Sequence, residues 1–113
     1  MTGRTGAPMS DTSVTVAAIQ MEPRIGEKER NIASSLALME RAAGQGATLL
    51  VLPELADSGY VFQSQEEAFG LAEEIPAGPA VTAWSDFAHA RGVYVVAGLC
   101  ERGRNGHPVG ERD

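Results

Sequence analysis

The strongest constraint on the fold of this chain is a set of three short, almost continuously apolar segments separated by longer stretches with helical periodicity. These segments are residues 14–21 (VTVAAIQM), 47–52 (ATLLVL) and 93–99 (VYVVAGL). They are rich in β-branched residues and show no polar alternation, which is typical of strands covered on both faces. Because parallel strands need long crossover connections, the chain is predicted to be an α/β domain with a mainly parallel sheet and flanking helices.

The first crossover is predicted to be a helix over residues 26–43, between the first two strands. Gly44 follows it and is expected to end it in a left-handed conformation. The helix has charged residues in its first turns and one apolar face, which is predicted to consist of Ile32, Leu36, Met39 and Ala43.

The second crossover contains a short helix and a long one. Ser64 and Glu67 form a capping-box pattern, so a short helix is expected from there to about residue 74. Pro79 is favoured in the first turn of the next helix, residues 79–91, and Gly92 is expected to end it. Its apolar face is predicted to consist of Val81, Trp84, Phe87 and Ala88.

Composition narrows the class of protein. The chain has 113 residues, 43% of them hydrophobic, and a net charge of −6, which indicates one globular domain without a nucleic-acid-binding surface. The single cysteine excludes an intrachain disulfide. Residues 1–13 have no apolar run and are expected to be a flexible leader, and no segment is long enough to span a membrane. We therefore expect a cytoplasmic protein with its domain at residues 14–102 and a disordered tail at 103–113.

Chemistry is expected at the carboxyl ends of the parallel strands, where Glu54, Cys100 and Glu101 fall. Glu54 follows an unbroken apolar strand and a proline, in the run LLVLPEL. A carboxylate at that point is expected to be rigidly held and partly desolvated, which would make it a better proton acceptor. The alternative is a loop glutamate that faces water or caps a turn.

The segments around these residues resemble the nitrilase superfamily of carbon–nitrogen hydrolases. The blocks that carry the resemblance are VAAIQMEP, the helix that contains Asn31, GATLLVLPELADSGYVF and VYVVAGLCER, at matching spacing over residues 14–102. The most specific part is the proline–glutamate pair after an apolar strand, followed by Gly59 and Tyr60.

The resemblance implies a mechanism in which a glutamate, a lysine and a cysteine act on amides, nitriles or N-carbamoyl compounds. Glu54 matches the glutamate, which acts as proton acceptor for the cysteine thiol and later for water. The thiolate forms a thioester acyl-enzyme and the lysine stabilises the oxyanion. No metal or organic cofactor is implied, and the partner is a small-molecule substrate.

The chain departs from the family in lacking motifs for the lysine and the cysteine. Lys28 is the only lysine, lies in the first turn of a helix, and is expected to be a surface residue. Cys100 does not match the nucleophile motif. It is interpreted as a buried apolar residue, with a reactive Cys100–Glu54 pair as the alternative.

The remaining polar and aromatic candidates are weaker. Tyr60 is a candidate for lining the substrate pocket, with ordinary loop packing as the alternative. Glu101 is interpreted as structural, pairing with Arg102 or a loop amide, with a substrate role as the alternative. The two histidines have no metal-site spacing with Cys100, and Trp84 and Phe87 are assigned to the core.

The fold implied by the resemblance is an α-β-β-α sandwich of which this chain would supply only a part. We expect a truncated form with three strands and two long helices, in which one sheet face lies open, and a homo-oligomer for the full-length protein. The isolated chain is therefore expected to be inactive. The alternative function is a non-catalytic truncated fragment that only associates with other subunits.

Overall fold

The computed structural model describes residues 13–60 and 62–103. The predicted leader and tail lie almost wholly outside these residues. In order along the chain, the elements are β1 (Val16–Ala18), α1 (Lys28–Gly44), β2 (Leu49–Glu54), α2 (Gln65–Leu71), α3 (Pro79–Arg91) and β3 (Tyr94–Gly98). Among the described residues, no helix is long and apolar enough to cross a membrane.

The three strands form one parallel sheet with β2 in the centre, in the order β1–β2–β3. Leu50 of β2 is in register with Ala17 of β1 and with Val95 of β3. The connection from β1 to β2 contains α1, and the connection from β2 to β3 contains α2 and α3. The predicted α/β class and parallel sheet are therefore confirmed.

The strand bounds differ from the predicted ones. β1 keeps only three of the eight predicted residues, and β3 begins and ends one residue inside its predicted range. β2 begins and ends two residues later than predicted, because Pro53 does not stop it and the strand continues to Glu54. Register between β2 and β3 shifts between Val51 and Glu54, so the backbone pairing is irregular where the proline stands.

The prediction that the strands are buried on both faces is wrong. One face carries Leu50 and Leu52, which are 0% and 5% exposed and belong to the core beneath α1 and α3. Side chains on the opposite face are open, since Val16, Tyr94 and Val96 are 55%, 78% and 53% exposed. The structure thus has the single uncovered apolar sheet face that was expected from the number of strands and helices.

The buried face of helix α1 overlaps the predicted one at Met39 but is displaced from it. Its fully buried residues are Asn31, Ser35 and Met39, whereas Ile32 and Leu36 are only partly buried. The buried stripe is displaced because two polar side chains in it have internal partners. Ser35 Oγ accepts a hydrogen bond from Trp84 Nε1 at 2.9 Å and donates to the carbonyl of its own helix at Ile32.

The end of α1 also differs from the prediction. The helix includes Gly44 and is capped at Gln45, whose backbone N–H donates to carbonyls of the last turn. The left-handed residue is Gly46, with φ of +97°, and not Gly44. The glycine that a left-handed turn needs is therefore present two positions further along the chain.

The second crossover follows the sequence signals closely. Ser64 Oγ accepts from the backbone N–H of Glu67 as a capping residue should, while Glu67 Oε1 accepts from the N–H of Gln63. Helix α2 ends at Leu71, three residues before the predicted limit. Helix α3 has the predicted bounds, with Gly92 left-handed at φ +67° as its C-cap and Trp84 buried in the core.

Candidate active site

Glu54 is the last residue of the central strand. It pairs with Gly98, the last residue of β3, so it stands at the carboxyl edge of the parallel sheet. The next residue, Leu55, donates its N–H to Gly98 O at 2.9 Å. Glu54 itself is exposed, so the expectation of a partly desolvated carboxylate is wrong for this structure.

The backbone turns sharply after Glu54. Leu55 has φ of +53°, which makes it the one non-glycine residue with positive φ in the part of the chain that the structure describes. A leucine in this region costs about 1–2 kcal/mol, so neighbouring contacts must hold it there. Such strain directly beside a strand-end carboxylate is typical of a functional site.

The loop that follows is buried, unlike most connecting segments. Ala56, Asp57, Ser58 and Gly59 are all buried, and Asp57 and Ser58 are 1% and 0% exposed. Asn31 of α1 gives the buried backbone a hydrogen-bond partner, since its Nδ2 donates to Asp57 O at 3.0 Å. Polar groups of α1 therefore replace the water that a loop normally has.

Asn31 also binds the segment that precedes its own helix. Its Nδ2 donates to Arg24 O at 2.7 Å, and its Oδ1 accepts from Arg24 N at 2.8 Å. The fully buried amide thus makes three hydrogen bonds to two separate stretches of backbone. Apolar periodicity did not identify this residue, although its spacing with Ser35 and Met39 falls on one helical face.

The two stretches held by Asn31 also contact each other directly. Gly26 donates its N–H to Ser58 O at 3.1 Å. Gly59 has φ of +93°, and a Cβ added to it would lie 2.5 Å from Ile25 Cα. Only glycine permits both the backbone conformation and this close approach. The predicted loop glycine is therefore required by packing.

Lys28 is not the surface residue that the sequence predicted. Its side chain is only 18% exposed, and its Nζ lies 3.2 Å from Asp57 Oδ2 and 2.9 Å from Glu73 Oε2. It also donates to Leu71 O at 2.7 Å. Burial raises the pKa of Asp57 above its ordinary value, although the Lys28 ammonium acts in the opposite direction. Sequence patterns missed the cluster because its members are far apart in the chain.

Glu73 links this cluster to helix α3. Its two carboxylate oxygens accept from the backbone N–H groups of Ala80 and Val81, at 2.8 and 3.1 Å. A carboxylate at a helix N-terminus satisfies free donors and is favoured by the helix dipole. Gly78 leaves room for it, since a Cβ there would lie 2.6 Å from Glu73 Cβ. The signal available in the sequence was a glutamate six residues before Pro79, the first residue of α3.

The residues directly after β3 pair with the segment that follows α2. Glu101 forms an isolated parallel bridge with Glu73. Glu73 N donates to Cys100 O at 2.9 Å, and Arg102 N donates to Glu73 O. Arg102 also donates through Nη2 to Phe69 O and lies over the Phe69 ring at 4.9 Å. The remainder of the predicted tail, from residue 104, lies outside the described residues.

Cys100 is a half-buried free thiol. Burial, together with the nearby negative charge of Asp57, raises its pKa above the ordinary value, so it stays protonated at neutral pH. A protonated thiol is a poor nucleophile, which argues against the alternative of a reactive Cys100–Glu54 pair.

Tyr60 follows the buried loop but points outward, with 64% of the residue exposed. Tyr60 directly follows Gly59, and no contact in the described structure indicates a role for its side chain. Among the described residues, no group of three or more His, Cys, Asp or Glu side chains is arranged to hold a metal ion.

We expect Gly59→Ala to lower the free energy of unfolding by about 2–4 kcal/mol, because it adds both a positive-φ penalty and overlap with Ile25. Gly44→Ala is the matched control. Its Cβ would meet nothing within 4 Å and it lies in a helix, so a change between zero and about 1 kcal/mol of stabilisation is expected. Urea unfolding of both variants measures the difference, and equal values would contradict this account of the loop.

Cys100 should react slowly with iodoacetamide at pH 8 in the folded chain, about tenfold or more below its rate in urea. Because its pKa is raised in the fold, the alkylation rate should continue to rise above the pH at which the unfolded thiol has levelled off. Mass spectrometry of the alkylated chain measures both profiles. Equal rates at pH 8 would show that the thiol is not buried and that its pKa is not raised.

Comparison with known proteins gives the family. The model of the carbon–nitrogen hydrolase family matches residues 15–111. A protein named nitrilase from Pyrococcus abyssi is 46% identical over 89 residues, covering 79% of this chain and 34% of that protein. A protein named N-carbamoylputrescine amidase from Solanum lycopersicum is 30% identical over 95 residues, covering 83% of this chain and 31% of that protein. The chain thus spans about a third of the length of these curated relatives. It belongs to the carbon–nitrogen hydrolase family, within the nitrilase superfamily.

Proposed function

We propose that this chain supplies Glu54 as the general base for hydrolysis of non-peptide C–N bonds in amides, N-carbamoyl compounds or nitriles. Family membership supports the reaction class. The observation that carries the residue assignment is the backbone around Glu54, which ends the central strand and is followed by the strained Leu55 and the buried residues 56–59. A loop that only connects two elements is usually solvent-exposed and does not need a strained residue followed by buried ones.

In the proposed reaction Glu54 accepts the proton of a cysteine thiol, and the thiolate attacks the carbon of the C–N bond. A lysine stabilises the negative charge that develops on the substrate. With an amide or N-carbamoyl substrate a thioester forms as ammonia or an amine leaves with the proton, whereas a nitrile first gives a thioimidate, which one water converts to the thioester with release of ammonia. Glu54 then accepts a proton from water, which attacks the thioester and releases the acid. The exposed position of Glu54 leaves it accessible to a thiol from another segment.

The lysine and cysteine of this reaction are not assigned to residues of this chain. Lys28 is already bound to Asp57, Glu73 and a backbone carbonyl. The raised pKa of Cys100 makes it unsuited to act as the nucleophile. The proposal therefore places both groups in a part of the protein that these 113 residues do not contain. Cytoplasmic location and oligomeric state stay predictions, as does a pocket-lining role for Tyr60.

The alternative is that the chain only associates with other subunits and has no role in catalysis. The observation in its favour is the uncovered sheet face, on which Val16, Tyr94 and Val96 are all more than half exposed. An apolar face of this kind favours association. It does not account for the strained loop beside Glu54, which lies at the edge of the sheet.

A chimera tests the proposal directly. Residues 15–103 of this chain would replace the matching segment of the Pyrococcus abyssi nitrilase, to which the chain is 46% identical. We expect the chimera to release ammonia from nitrile or amide substrates. Glu54→Gln should lower kcat by about a hundredfold to ten-thousandfold, because it removes the general base while keeping the side-chain size.

Glu29→Gln is the matched control, since it changes an exposed glutamate in the first turn of α1 and should leave kcat unchanged. The 113-residue chain alone should release no ammonia. A folded but inactive chimera, or one in which Glu54→Gln retains full activity, would contradict the proposed role and favour the non-catalytic alternative.

A further inference from the structure

We propose that Lys28 is a positioning residue for Glu54: its ammonium group joins Asp57 to Glu73 and so holds the loop, residues 55–59, that sets the backbone at the end of β2. The inference rests on the proposed role of Glu54 as general base. It adds a residue from the start of α1 that neither the family resemblance nor the sequence pattern identified.

The cluster is poorly suited to a purely stabilising role. One ammonium faces two carboxyl groups whose side chains are both 1% exposed, and burial raises the pKa of Asp57. Asp57 Oδ1 is buried and has no hydrogen-bond partner in the described structure. Desolvation of such groups offsets much of their attraction, and apolar residues of similar size often stabilise a fold as well. The cluster is therefore expected to fix the position of the loop rather than to add to the stability of the fold.

One end of the cluster is fixed independently of Lys28. The Glu73 carboxylate accepts from two backbone N–H groups at the start of α3. Its backbone is paired with the chain beyond β3 through the bonds to Cys100 and Arg102. Glu73 is thus attached to both α3 and the sheet extension, and it gives the Lys28 ammonium a rigid partner.

The other end of the cluster is the loop that needs support. Asp57 lies three residues after Glu54 and two after Leu55, the residue with positive φ. Its backbone carbonyl is held by Asn31 and its carboxylate by Lys28, and both of these residues belong to the first turns of α1. The Asn31 side chain binds the backbone of the loop, while Lys28 links the same loop to Glu73 and α3. Loss of Lys28 should free the loop on that side and let Leu55 relax.

The first experiment measures amide hydrogen exchange in the 113-residue chain. In Lys28→Met, the N–H groups of Leu55 and Gly59, which donate to Gly98 O and Leu55 O, should exchange about tenfold to a hundredfold faster relative to the amides of β2. Lys28→Arg should restore most of the protection, since a guanidinium also bridges two carboxylates. Arg30→Met is the matched control, because Arg30 is 46% exposed and pairs only with Glu27 in the described structure.

Asp57→Leu keeps the proposal testable if Lys28→Met unfolds the whole chain. It removes the loop end of the cluster together with its desolvated charge, while Lys28 stays paired with Glu73. The same local acceleration at Leu55 and Gly59 is expected in a chain that remains folded. Unchanged exchange at these two amides, or an equal acceleration across β2, would overturn the proposal.

The second experiment measures kinetics in the chimera described above. Lys28→Met should lower kcat about tenfold with little change in KM, because a displaced base slows the chemical step without weakening substrate binding. Lys28→Arg should recover most of kcat. If Glu54→Gln abolishes activity while Lys28→Met keeps full kcat, the positioning role alone is overturned. If Glu54→Gln keeps activity, the proposed function itself fails.

Discussion

The buried side chain of Asn31 is the interaction on which the arrangement of this domain depends. A single amide makes hydrogen bonds to the backbone of Arg24 and of Asp57, and it is 0% exposed. Removing it would leave backbone groups of both segments without this partner, and for the buried carbonyl of Asp57 the loss costs about 1–3 kcal/mol. The entry into α1 and the loop after β2 are therefore held as one unit.

That unit explains why a strand end with an exposed carboxylate is nevertheless well defined. Glu54 has no described contact that immobilises its side chain, but the backbone on either side is held. Before it, β2 is paired with both neighbouring strands. After it, Leu55 is bonded to Gly98 and the following residues are buried against α1. A rigid backbone with an accessible side chain suits a group that must receive a proton from a residue elsewhere.

Local signals in the sequence predicted the elements they govern. Pro79 and Gly92 gave the exact bounds of α3, because each acts on the backbone at its own position. Pro53 misled the prediction for β2, since the strand passes through it with an irregular register. Burial on both faces was inferred from apolar runs alone. Three strands with two long helices leave one face uncovered, so that inference failed for the side chains on the open side.

The candidate site was predictable only at Glu54, where a resemblance to the family supplied the role. Asn31 and Lys28 are polar residues near a helix start, and local patterns place such residues in solvent. Their partners lie 26 residues away for Asn31 and 43 residues away for the Lys28–Leu71 bond. Pairings of this kind are set by the packing of α1 against the sheet, and no local periodicity encodes them.

The central claim, that Asn31 holds two segments of backbone together, is tested most directly by the exchange of its side-chain amide protons with water. Nδ2 donates to Arg24 O and Asp57 O at 2.7 and 3.0 Å. Both protons should therefore give separate NMR signals that exchange far more slowly than those of the exposed Gln45 amide. If the Asn31 amide protons exchange as fast as those of Gln45, the side chain is not buried between these segments and the account of the site is wrong.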